Sequence, residues 1–193
     1  MSKITKAIAA LGVVAGLGVA ALPLSSFAVE SGPVKVTAVV DNTISVTAND
    51  AEVNLGTVMP NGPVSTASTS VNVATTNETG YTLVVKDADE RTGLYKANAD
   101  GSLNTTTGKF IEAGVPAKGT TAWGVRADAA AAYQGVTAYS GAGVQLKKTA
   151  ASATTGGDNT TVEFGVSVAT GFESGTYTGE VVFVATANPA AGA

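Results

Sequence analysis

Three observations predict an all-β chain, folded as an antiparallel β-sandwich. Roughly eight short segments alternate apolar and polar residues with a period of two. Gly, Pro, Asn and Asp separate these segments at short intervals, as tight turns require. Charged residues make up only 13% of the 193 residues, while Thr, Ala, Gly and Val dominate, a composition suited to pleated, half-buried surfaces rather than helices. A closed barrel is the alternative all-β closure. No repeat period recurs, which argues against a solenoid or a propeller.

The elements follow in order. Residues 1–28 read as a secretory signal peptide: Lys3 and Lys6 form a positive start, residues 7–24 are apolar, and Ser26-Phe27-Ala28 places small residues where a signal peptidase reads. Cleavage is expected after Ala28. A retained anchor is the alternative, since the run approaches the roughly 18 to 20 residues that span a bilayer. Residues 29–193 are then expected to form one β-sandwich domain, long enough to bury its own core.

Residues 34–40 and 43–48 read as strands around Asp41-Asn42, with Val34, Val36, Ala38 and Val40 on one face. Residues 53–58 make a third short strand before the turn cluster Pro60-Asn61-Gly62-Pro63. Residues 70–75 and 81–86 look like a hairpin around residues 77–80, with Tyr81, Leu83 and Val85 sharing a face. Residues 87–120 are predicted as loops carrying one or two short strands. Residues 121–126 form a strand bearing the only tryptophan, Trp123, and residues 129–132 are expected to make one helical turn. Residues 136–146 remain open, and residues 149–159 read as a polar surface loop. Residues 161–169 and 177–187 are predicted to close the domain as a hairpin, with Tyr177, Val181, Phe183 and Ala185 on one face.

Charge and residue inventory narrow the function. Removing Lys3 and Lys6 leaves nine basic (11 − 2) against fifteen acidic residues, a formal charge of −6 where the full chain has −4. The only adjacent basic pair is Lys147-Lys148, so nucleic acid is not an expected partner. The chain has no His and no Cys, which removes the usual nucleophile–base pairs and most transition-metal sites. No enzymatic activity, cofactor or metal is expected. Asp87, Asp89, Glu90, Glu112, Glu163, Glu173 and Glu180 lie mostly beside turn residues and read as solvated surface rather than a glycosidase pair. Asp87-Ala88-Asp89-Glu90 has the oxygen-rich look of a calcium loop, but Arg91 and Gly93 occupy the places where an EF-hand needs ligands. Trp123 and the tyrosines are read first as core anchors and alternatively as a glycan-stacking platform.

Four segments taken in order, Val53-Asn-Leu-Gly-Thr57, Ser70-Val-Asn-Val73, Thr79-Gly-Tyr-Thr-Leu-Val-Val85 and Ser174-Gly-Thr-Tyr-Thr-Gly-Glu-Val-Val-Phe-Val184, resemble bacterial cell-surface β-sandwich domains. The likeness is both to WxL-type cell-wall domains and to fimbrial and spore-coat-U-type subunits. The resemblance implies an immunoglobulin-like sandwich in a secreted, cell-surface protein. It also implies a structural or adhesive role, with other surface-protein subunits or cell-wall polymer as partners and no stable membrane insertion after cleavage. Strand-edge contact is the physical form of such assembly. Val34, Val36, Ala38 and Val40 have the spacing of a donor strand, and equally of the first strand of the same sandwich. A carbohydrate-binding module displaying Trp123 is the alternative function. A Lys35–Asn188 crosslink, of the kind found in Gram-positive pilins, is a further expectation.

Overall fold

A computed structural model of the chain describes residues 42–106, 108–128 and 131–189. These residues are all-β, with no helix, and build two antiparallel sheets. The strands are β1 (Ile44–Ala48), β2 (Ser65–Thr75), β3 (Tyr81–Asp87), β4 (Ala122–Ala127), β5 (Val144–Lys148), β6 (Asp158–Ser167) and β7 (Val181–Ala187). The first sheet has the order β1-β2-β6-β4 and the second β5-β3-β7.

Period-two patterning decides which side chains meet. Val71 and Val73 of β2, Val162, Phe164 and Val166 of β6, and Trp123 and Val125 of β4 turn inward from the first sheet. Tyr81, Leu83 and Val85 of β3 turn inward from the second and join them in one core cluster. Each such side chain contributes about 1.5–3 kcal/mol of burial, so this shared cluster is the main term holding the two layers together.

Two expected hairpins are not formed. Residues 70–75 and 81–86 were to pair with each other, yet β2 pairs with β1 and β6 while β3 pairs with β5 and β7. The turn between them therefore crosses from one sheet to the other. Gly80 makes this crossing: its φ is +79°, and a Cβ there would meet the Thr149 carbonyl at 2.6 Å. The closing hairpin fails in the same way, because β6 lies in the first sheet and β7 in the second. The physical reason is shared: both strands of each expected pair carry a full apolar face, and facing layers bury those faces against one another.

Residues 53–58 form no regular strand, although Val53, Leu55 and Val58 still pack on the core. After β3 ends at Asp87, the described residues up to 120 make only isolated bridges, Leu94 with Ile111 among them. The first half of the segment expected to be ambiguous is irregular, and its end supplies β5. Residues 34–40 lie outside the described residues, as do residues 129 and 130 of the expected helical turn.

Candidate functional site

Chemistry-bearing side chains are dispersed. Among the described residues no group of three or more His, Cys, Asp or Glu side chains is placed to hold a metal ion. In the acidic loop after β3, Asp89 is occupied by Arg91, whose Nη2 lies 2.6 Å from Oδ2. Glu90 accepts from the Ser140 backbone N–H at 3.1 Å and from its hydroxyl at 2.7 Å. Asp87 points inward at the end of β3, is only 3% exposed, and leaves Oδ2 without a partner. Burial pushes its pKa up to about 6, with the charge of Asp89 adding to the rise.

A second polar cluster sits on the outer face of the first sheet. Glu163 of β6 stands opposite Arg126 of β4, and its Oε1 accepts from Arg126 Nε at 3.0 Å, from Arg126 Nη2 at 2.6 Å and from the Tyr133 hydroxyl. The guanidinium lies 4.4 Å from the Tyr133 ring centroid. Gly165, paired with Gly124 in the sheet, lies against that ring, and a Cβ on it would meet ring carbons at 2.7 Å. The cluster is complete within the chain and leaves Oε1 no room for a ligand.

The aromatic residues do not form a platform. Trp123 is 2% exposed, and its indole N–H donates to the Thr92 carbonyl at 2.8 Å. Its ring is therefore core rather than glycan contact, and this corrects the surface alternative. Tyr81 is fully buried and Tyr95 stacks on Phe110 with centroids 4.8 Å apart, whereas Tyr139 is exposed by itself. A groove of about 540 Å³ is open and lined by small polar residues such as Thr43, Thr75, Thr154 and Gly157 together with Ile44. It has neither an aromatic wall nor a convergent set of charges.

The strand edges differ from one another far more than the pockets do. The outer edge of β4 is covered: Trp123 exchanges backbone hydrogen bonds with Glu112 and Gly114, and Val125 with Gln134. β5 is five residues long, ends in Lys147 and Lys148, and pairs with β3 through a register shift. Such lysines and irregularities blunt an edge. β7 has none of these devices. Its sequence Val181-Val-Phe-Val-Ala-Thr-Ala187 carries no charge, Pro or Gly over seven residues and keeps unbroken register with β3.

The backbone of β7 is oriented for pairing. Ala88 N donates to the Glu180 carbonyl and Asn188 N to the Gly80 carbonyl, so the even-numbered residues of β7 turn toward β3. By alternation, Val181, Phe183, Ala185 and Ala187 direct their N–H and C=O groups away from β3. Among the described residues these groups have no backbone partner. The same four residues lie opposite the inward-facing Asp87, Val85, Leu83 and Tyr81, yet Val181, Phe183 and Ala185 are only half-buried. Facing them is β1, whose Ile44 and Val46 turn toward the core side but remain 36% and 37% exposed. The seam between β1 and β7 is thus apolar and incompletely covered.

This seam was not among the expected sites. The sequence signal for it is the uncharged run 181–187, which reads equally well as a buried strand. The candidate donor residues Val34, Val36, Ala38 and Val40 lie outside the described residues, and so does Lys35. Asn188, its expected crosslinking partner, uses Oδ1 for the Thr82 hydroxyl and Nδ2 for the carbonyls of Thr79 and Thr149. No family model matches the chain, and no curated protein matches it at a significant level.

Proposed function

We propose that the chain is an exported bacterial cell-surface protein with an immunoglobulin-like sandwich, structural or adhesive in role, that assembles through strand-edge contact. The observation that carries this reading is the contrast between edges. Native proteins blunt exposed edges, and here β4 is covered, β5 is charged and β1 is only five residues long, while β7 runs seven residues, regular and uncharged. Strand addition supplies main-chain hydrogen bonds for affinity and leaves alternate side chains to set specificity. Export follows from the composition of residues 1–28, which have the charge, apolar run and small residues of a secretory signal. Wall polymer or other surface subunits are the partners that suit an acidic protein without a basic patch.

Fractionation of producing cells combined with electron microscopy tests the proposal. The mature chain is expected outside the cell, lacking residues 1–28, in filaments or wall-bound layers. Recovery of the full-length chain in the cytoplasm, or of a dispersed monomer in the medium, overturns it.

A further inference from the structure

We infer that the partner of β7 is β7 of a second copy, paired antiparallel about a two-fold axis at Val184, so that two three-stranded sheets become one continuous sheet. The inference rests on the strand-edge assembly proposed above and names its occupant. Three features of β7 support it.

The first is parity. In an antiparallel pair centred on residue 184, opposite residues sum to twice that number, so odd residues meet odd and even meet even. Val181 meets Ala187 and Phe183 meets Ala185, the four residues whose N–H and C=O groups face outward from β3. About eight hydrogen bonds form, and none of those groups is left over. A centre at any other residue leaves at least one end of the seven-residue strand without a strand opposite it.

Shape is the second. The pairing sets the ring of Phe183 against the methyl of Ala185 and the Val181 side chain against Ala187, large against small, on the core side of the sheet. Val182 meets Thr186, and Val184 meets its own copy, on the other side. An isologous contact requires self-complementarity of this sort.

Charge and order supply the third. No residue of β7 is charged, so a copy is not repelled, whereas β5 would bring lysines together. Both flanks are held: Thr178 and Tyr95 exchange backbone hydrogen bonds at 2.8 and 2.9 Å before the strand, and Asn188 is bonded to Gly80 after it. A strand fixed at both ends is preorganised for pairing.

Cysteine crosslinking tests the arrangement cleanly because the chain has no cysteine of its own. Opposite residues at a non-hydrogen-bonded antiparallel site have Cα atoms about 4.5 Å apart, within disulfide reach. Val184→Cys is expected to give a covalent dimer under mild oxidation. Val182→Cys, on the same face but displaced from its own copy by four residues along the strand, is expected to give at least tenfold less. Light scattering of the unmodified chain is run beside them. Assembly without a covalent dimer of the Val184→Cys chain, or equal crosslinking of the Val182→Cys chain, overturns the two-fold pairing and leaves strand-edge assembly standing. A Val184→Cys chain that crosslinks instead to a Val36→Cys chain identifies residues 34–40 as the occupant and also overturns it. A monomer at every concentration overturns both. Should the Val184→Cys variant melt early, Val184→Lys supplies a second arm: two lysines meet at the axis, and assembly is expected to be lost with the melting temperature retained. Persistence of assembly in that folded variant contradicts the two-fold.

Discussion

The side-chain amide of Asn77 donates to the backbone carbonyl of Asn188 at 3.0 Å, joining positions 111 residues apart. Around this bond, Asn77 Nδ2 also reaches the Gly80 carbonyl at 2.6 Å, and the Asn188 amide nitrogen donates to the carbonyls of Thr79 (2.8 Å) and Thr149 (2.7 Å). The turn entering β3, the end of β5 and the end of β7 are thereby tied at one point. Asn188→Ala strips the amide and leaves those carbonyls short of a donor, an expected loss of about 2 kcal/mol. The melting temperature should fall by about 4–8 °C, and hydrogen exchange should quicken first in β7. A variant as stable as the parent would show that the lock contributes nothing.

Asp87 gives stability a pH dependence of unusual sign for a carboxylate. Its pKa in the folded chain is raised to about 6 by burial, above the ordinary carboxylate value of 3.8, so the folded state holds the proton more tightly than the unfolded state. Its contribution is therefore greatest below pH 4 and is lost as pH rises toward 6. Carboxylates such as Glu163, lowered mainly by the Tyr133 hydroxyl, act in the opposite sense and lose their contribution as pH falls. Comparing Asp87→Asn with the parent separates the two. The variant is expected to be more stable at pH 7.5, by on the order of 1 kcal/mol after allowance for solvent screening, with the gain shrinking toward pH 4. Denaturant melts across pH 4–8 check this, and a gain that is constant or grows at low pH contradicts it.

Tyr133 and Tyr81 are expected to ionise late. Burial and the Glu163 carboxylate push the Tyr133 phenol to about 12, and burial with Asp158 does the same for Tyr81. A spectrophotometric titration should therefore show Tyr133 and Tyr81, of the five tyrosines, titrating last, with Tyr177 also raised by burial and the Glu173 charge. Glu163→Gln should bring Tyr133 back toward that range and cost about 1 kcal/mol through loss of charge-assisted hydrogen bonds. An unchanged titration curve in the variant would rule out the contact.

Trp123 provides an optical check on the core. Its burial predicts blue-shifted emission, weak quenching by acrylamide and no response to glycans. Trp123→Ala should destabilise the chain by about 3–5 kcal/mol. A glycan-dependent emission shift would revive the ring as a ligand contact.

How far the sequence revealed this arrangement depends on the range of the interaction. Alternation located β3 and β4 almost to the residue, because Tyr81, Leu83 and Val85 or Trp123 and Val125 each signal a buried face locally. Partnership was misread where short turns suggested hairpins: a turn such as residues 77–80 looks the same whether it joins neighbours in one sheet or crosses between two. The Asn77–Asn188 lock had no local signature, since its members gain meaning only when the fold brings them together. The β7 edge was half visible. Its uncharged run is plain in the sequence, but whether a strand is buried or at an edge is decided by residues elsewhere in the chain.

The most direct measurement concerns Ala185, whose N–H faces away from β3. Proline on an edge strand with its nitrogen turned outward is compatible with the sheet and removes the donor a further strand would use. Light scattering of the parent and of Ala185→Pro over a hundredfold range of concentration should show growth in mass for the parent and a constant monomer for the variant, with both chains folded. Equal assembly of the two would contradict the claim that β7 is the contact edge.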